Sequence, residues 1–282
     1  ITTYYAYNSF VNYNSSKALQ SKLIENKQLN KLITNISRER GMTIIYLGNS
    51  SPNTLSSLIK QREKVDNNSK LYFADIKKNE SLHDHSISAL PCPICTNTKS
   101  ISDSMETIQV IRELVDEQNT SFQEVYEKVY GSAQRNAIEQ IESITKDQPD
   151  PEIRELLNNY VSLVRVKEFT AEERDLISYS LARQTALSTE ELNLWIALVG
   201  KSELGAYDTL ENQSLQQKLN EIFTDEDNTE LINDINIERA GIISASTTGE
   251  YELGSGIWFT MLSEKVNLIS EAQEILLATI DE

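Results

Sequence analysis

Three Glu-Arg dipeptides, Glu39-Arg40, Glu173-Arg174 and Glu238-Arg239, lie in segments whose apolar residues recur at helical spacing. Each arginine falls where an apolar residue is due. The first stripe runs Leu29, Ile33, Ile36, Arg40, Ile44, Leu47, and the third runs Ile232, Ile235, Arg239, Ile242. The second, looser stripe runs Tyr160, Leu163, Lys167, Ala171, Arg174, Ile177, Leu181. Residues three and four apart share one helix face, so all three guanidinium groups are expected to point into a helix-packed interior. A buried guanidinium cannot escape by losing its proton. It needs an anionic partner, which is either a carboxylate of the chain or a bound ligand. A planar fork of donors suits a small oxyanion, and two forks on one trigonal anion satisfy all its oxygens. For Arg40 and Arg174 both readings stand, and for Arg239 a structural ion pair is the plainer one.

A second group is gathered within 13 positions: His83, His85, Cys92 and Cys95, in the run HDHSISALPCPIC, are the only His and Cys of the chain. His-x-His and Cys-x-x-Cys together offer zinc four ligands of the kinds it prefers. The gap between the two pairs is shorter than in a zinc finger. A Cys92–Cys95 disulfide bracing the loop in an oxidising compartment is the blander reading, and free or redox-active thiols are the third. Zinc is thus the one cofactor the sequence offers a place for.

The elements that carry these residues are helical throughout. Long helices are expected over about 4–47, 54–78 and 152–185, and further ones over 105–118, 121–146, 192–210, 215–223, 229–246 and 257–282. Ser121 with Glu124, and Ser188 with Glu191, have the spacing of capping boxes, and Gln148-Pro149-Asp150-Pro151 is a clear break. The stretch 79–103 is expected to be an irregular insertion. No strand-type alternation persists, and no fixed repeat period links the Glu-Arg segments. The expected class is all-α, a single domain over 1–282 of long antiparallel up-and-down helices, with 152–282 as its second half.

Composition agrees: nine Gly and five Pro in 282 residues leave few tight turns. A formal charge of −17 argues against nucleic acid or an anionic membrane surface as partner. No run approaches the ~18 apolar residues of a membrane span. Both ends look cut, which reads as a piece of a longer, membrane-anchored chain. No nucleophile–base–acid arrangement and no phosphate loop is present, so an enzyme is not expected.

The segment Ser37-Arg38-Glu39-Arg40-Gly41-Met42-Thr43-Ile44-Ile45-Tyr46-Leu47 resembles the opening motif of the nitrate- and nitrite-sensing (NIT) domain. Gln61-Arg62-Glu63-Lys64-Val65-Asp66 is similar to that family's next block. Ile111-Arg112-Glu113-Leu114-Val115-Asp116 with Val125-Tyr126 is similar to its middle helices, and Lys167-Glu168-Phe169-Thr170-Ala171-Glu172-Glu173-Arg174 to its second signature. Trp258-Phe259 with Lys265-Val266-Asn267 resembles the end of such sensor regions in chemoreceptors. The resemblance implies adjoining four-helix bundles and an anion site between helices that uses Arg40 and Arg174. It also implies nitrate or nitrite as ligand, a homodimer, and an extracytoplasmic (periplasmic) sensor of a bacterial transmembrane receptor, with membrane spans beyond both ends. Two positions depart from the pattern: Ala171 replaces a glycine, and Asp175, where alanine is usual, adds a carboxylate able to pair with Arg174. Two competing functions are a metal- or redox-responsive sensor acting through His83–Cys95, with purely structural arginines, and a module that recognises another protein.

Overall fold

The computed structural model describes residues 2–80, 93–146, 148, 150–203 and 210–281, with side chains left aside at 2–16, 18, 79–80 and 93–97. Among the described residues the chain is all-helical. Helix α1 spans Thr2–Gly48, α2 Pro52–Glu80 and α3 Pro93–Asp116. A π-helical segment, Glu124–Tyr130, runs into α4, Gly131–Glu142. The second half comprises α5 (Pro151–Arg183), α6 (Thr189–Lys201), α7 (Gln213–Thr224), α8 (Glu226–Ala245) and α9 (Ser255–Asp281).

Local chemistry sets the breaks. Helix α1 ends at Gly48, where the Asn49 amide still reaches Ile45 at 2.8 Å. Ser51 then caps α2 by accepting from the Thr54 amide, and Pro52 takes the first helical position, where a missing N–H costs nothing. Asp150 opens α5 in the same way, accepting from the amides of Glu152 and Ile153 at 2.9 and 3.2 Å ahead of Pro151. Ser188 and Glu191 form the expected reciprocal box at the start of α6. Of the second expected box only one half is made, the Glu124 amide donating to Ser121 Oγ at 3.2 Å.

Three boundaries differ from the expectation. Helix α2 reaches Glu80 and α3 starts at Pro93, so both flanks of the 79–103 stretch are helical. Pro93 is compatible with a first turn. Helix α6 stops at Lys201 instead of running to 210. The π segment was not foreseen, since an extra residue per turn leaves no compositional mark.

Two bundles share α1. Helices α1, α2, α3 and α4 form the first, with direction alternating along the chain: Gln61 meets Asn35, Arg112 meets Asp66, and Gln134 meets the Ile33 carbonyl. In the second bundle α5 packs antiparallel to α9 and carries α6, while α7 and α8 pack on α9. Across the seam, α1 and α5 run parallel. Asn30 lies beside Lys167, Ser37 beside Arg174, and Gly48 beside Ala182. The two Glu-Arg dipeptides therefore arrive at one level, side by side. Leu29, Leu32, Ile44, Tyr160, Leu163 and Ile177 exclude water around them.

The turn between α8 and α9 depends on Gly249. Its φ is +75°, and an added Cβ would sit 2.5 Å from the Ala186 nitrogen. Gly249→Ala combines left-handed strain with a backbone clash, so we expect a loss of about 1–3 kcal/mol in urea unfolding. An unchanged midpoint would show that this turn does not hold α9 against α5.

Candidate functional site

Successive residues on an α-helix are ~100° apart, so the two members of a Glu-Arg dipeptide face different neighbours. In α1, Glu39 turns into the first bundle and Arg40 turns to the seam. Glu39 is fully buried and accepts two bonds from Arg112, Nε at 2.7 Å and Nη2 at 2.6 Å, and one from the Tyr130 hydroxyl at 2.6 Å. In α5, Glu173 does the same in the second bundle. It is fully buried and accepts from Arg239 Nε and Nη2 at 2.8 and 2.6 Å, and from the Trp195 indole at 3.1 Å. Each glutamate is thus clamped by the whole Nε/Nη2 edge of an arginine, a bidentate geometry that fixes its helix in rotation. With both glutamates fixed, Arg40 and Arg174 are left facing one another across the seam.

There they converge on one carboxylate. Arg40 Nε donates to Asp175 Oδ2 at 2.6 Å, and Arg174 Nε donates to Asp175 Oδ1 at 2.8 Å. Arg40 Nη1 donates to Glu168 at 2.6 Å. Arg174 also reaches Ser263 Oγ at 3.2 Å and the Ser37 carbonyl at 2.9 Å, which ties α5 to α9 and α1. Aromatic rings cover the guanidinium faces: Tyr126 at 5.5 Å from Arg40, on the π segment, and Phe259 at 4.4 Å from Arg174. Arg40, Arg174 and Asp175 are all buried. One donor of this array is left over, since the buried Arg40 Nη2 has no hydrogen-bond partner among the described residues.

The expected meeting of Arg40 and Arg174 therefore occurs, and its anion is a carboxylate of the chain. Arg239 forms an ion pair with Glu173, as the structural reading has it. The sequence left unassigned the clamps made by Glu39, Glu173 and Arg112. A buried acid immediately before an inward arginine was the available signal. His83, His85 and Cys92 lie outside the described residues. Cys95 falls on the backbone of α3 with its side chain outside the description, so the zinc and disulfide readings have no geometry here.

The electrostatics around the seam are strained by burial. Burial raises the pKa of Glu168 against the pull of Arg40. It also pushes half-buried Glu172 up to about 7, with Glu168 adding to the effect. One step along the seam, Lys167 Nζ donates to Asn30 Oδ1, Thr34 Oγ1 and Gln273 Oε1 at 2.6, 2.9 and 3.0 Å. All three acceptors are neutral, and burial draws its pKa down to about 7 against Glu168 and Glu274. A cavity of about 10 Å³ between Ser37, Lys167 and Glu168 is the space left nearby, enough for about one water molecule.

Burial decides how much each ion pair matters. Arg112→Ala strands the buried Glu39, and we expect a loss of about 3–5 kcal/mol in denaturant unfolding. Arg62 pairs with Asp116 at 2.9 Å, but that acid's side chain is 49% exposed. Arg62→Ala is expected to cost only about 1 kcal/mol, because water takes over the acid. Equal losses would remove the clamp argument. Lys167 gives a pH signature. Its ordinary pKa of 10.5 is lowered on folding to about 7, so between these values the unfolded chain binds the extra proton and stability rises with pH. The increment is absent below pH 7. Urea midpoints across this window are expected to climb more steeply in the parent than in Lys167→Met, and parallel profiles would contradict the assignment.

No curated protein matches the chain. The structure of the NasR transcription antiterminator superposes with a TM-score of 0.70 at 16% identity, covering 99% of this chain and 73% of that one. At that identity the likeness speaks for the fold. The nitrate and nitrite sensing family matches residues 31–281, the stretch that holds both Glu-Arg signatures and all of α2 to α9. With nearly its whole length covered, the chain belongs to the nitrate- and nitrite-sensing (NIT) family.

Proposed function

We propose that this chain is the ligand-sensing part of a bacterial signalling receptor and binds a small planar oxyanion, nitrate or nitrite, at the α1–α5 seam through Arg40 and Arg174. The observation that carries this reading is the convergence of both guanidinium groups on one planar anionic group, with the Arg40 Nη2 donor still unpaired. Nitrate has the shape of a carboxylate plus one more oxygen, which is the acceptor that Nη2 lacks, while nitrite matches the carboxylate alone. The family's description supports sensing rather than catalysis.

The output follows from which helices the ligand touches. Arg40 lies on α1, and Arg174 is tied to α9 through Ser263. Helices α1 and α9 run antiparallel, and Gln20 donates to Asp281 at 3.2 Å, so α9 ends against α1 at Gln20, on the side from which α1 enters. An anion that alters the pairing at the seam biases the position of these two helices, provided it has different affinity for the two arrangements. Membrane spans attached there, an extracytoplasmic location and a homodimer in the manner of chemoreceptors complete the proposal.

Thermal unfolding with nitrate, nitrite, chloride and sulfate tests it. Nitrate or nitrite at a hundred times its dissociation constant is expected to add about 2.7 kcal/mol, which is several degrees for a domain of this size. Arg174→Lys keeps the charge but loses the fork, so it is expected to fold and to lose the response. A parent protein whose melting ignores all four anions overturns the reading.

A further inference from the structure

Asp175 occupies the place where an anion between Arg40 and Arg174 would sit. We propose that the Asp175 carboxylate is a tethered occupant of this site and sets its affinity, so that a planar oxyanion binds by displacing it. The inference rests on the oxyanion reading above.

Three features argue that Asp175 is a stand-in rather than a matched partner. The first is the manner of contact. Arg112 and Arg239 each present Nε and Nη2 together to a glutamate, whereas Arg40 gives Asp175 its Nε alone and leaves Nη2 without an acceptor in a buried position. A side chain tethered to α5 cannot centre itself on that edge while also meeting Arg174. A free anion has no tether. The second is atom count: removing the carboxylate frees the room of three heavy atoms, and nitrate brings four, the fourth matching the unused donor. The third is charge. Once the Asp175 carboxylate is deleted, one monovalent oxyanion restores the balance among Arg40, Arg174, Glu168 and Glu172, whereas in the parent the carboxylate must swing off both arginines first, which is how it lowers affinity.

Besides its two arginine bonds, Asp175 is closely packed. An added Cβ at Gly41 would collide with the Asp175 carboxylate and would sit 2.6 Å from the Phe259 ring. The carboxylate therefore lies directly on the α1 backbone, in space that only a glycine leaves open. When the competent state of a site is occupied for part of the time by its own side chain, apparent affinity falls by that fraction. Asp175 acts here as that competitor.

The experiment compares the parent with Asp175→Ala by calorimetric and thermal titration, with sodium nitrate as probe. Formate, which restores the deleted carboxylate as a free ion, serves as a second probe, and sulfate as the bulky tetrahedral control. Nitrate is expected to bind Asp175→Ala roughly tenfold or more tightly than the parent, since the internal competitor is gone. Formate is expected to stabilise the variant alone, sulfate neither protein, and Arg174→Lys/Asp175→Ala is expected to lose both responses. Should Asp175→Ala fold only when nitrate or formate is present, that rescue itself supports the proposal. Asp175→Asn, which keeps the side-chain volume without the charge, decides the matter if Asp175→Ala does not fold under either condition: a smaller gain of the same sign supports the proposal, and none overturns it. Equal nitrate affinity in parent and variant overturns the competitor role while leaving the oxyanion reading standing. A blind parent beside a responsive variant supports Asp175 as occupant and overturns nitrate as the parent's own ligand.

Discussion

A dry helix seam must hold two guanidinium groups that cannot be neutralised by losing protons. Much of this structure is arranged around that constraint. The seam is built from parallel helices, so Arg40 on α1 and Arg174 on α5 reach the same level, and their counter-charges must come from the seam itself. Asp175 and Glu168 supply them. The rotation of both helices is set one residue earlier, by Glu39 and Glu173, each locked in its own bundle by a bidentate arginine. A single dipeptide thus performs two tasks: its acid fixes the helix, and its base faces the seam.

The same arrangement explains how a change at the seam would reach the end of the molecule. The seam arginines bond α1, α5 and α9 together, and the aromatic covers come from the π segment and from α9. π-type turns place side chains off the regular helical register and recur at functional sites. Here one brings Tyr126 over Arg40 and Tyr130 onto Glu39 within one and a half turns. In the proposed mechanism an incoming anion takes over the donors that Asp175 holds, and only elements already bonded to those donors need to respond.

Much of this was legible in the residues. The stripe through Leu29, Ile33 and Ile36 placed Arg40 inward, and the looser one through Tyr160 and Leu163 placed Arg174 inward, as the structure has them. Asp175 stood out against the family pattern as a carboxylate next to Arg174, and it pairs with both arginines. The roles of Glu39, Glu173 and Arg112 were missed although each Glu precedes an inward arginine, because a stripe identifies one buried face and α1 and α5 have more than one. Helix α1 serves both bundles, so its acids cannot be assigned to solvent by default. Lys167 sat in the stripe but was given no role, since its partners Asn30, Thr34 and Gln273 are neutral and far apart in sequence. The boundary at Pro93 shifted because a helix accepts a proline in its first turn, although proline reads locally as loop.

The most direct measurement of the central claim is nuclear magnetic resonance of the Arg40 and Arg174 side-chain Nε–H groups while nitrate is added to the native protein. Both donors now end on Asp175, so an anion that replaces this carboxylate must move both resonances together, along one saturable curve, while the Arg112 and Arg239 signals stay in place. Resonances of Arg40 and Arg174 that remain fixed throughout the titration, or that drift in step with every other arginine, would contradict a shared anion site at the α1–α5 seam.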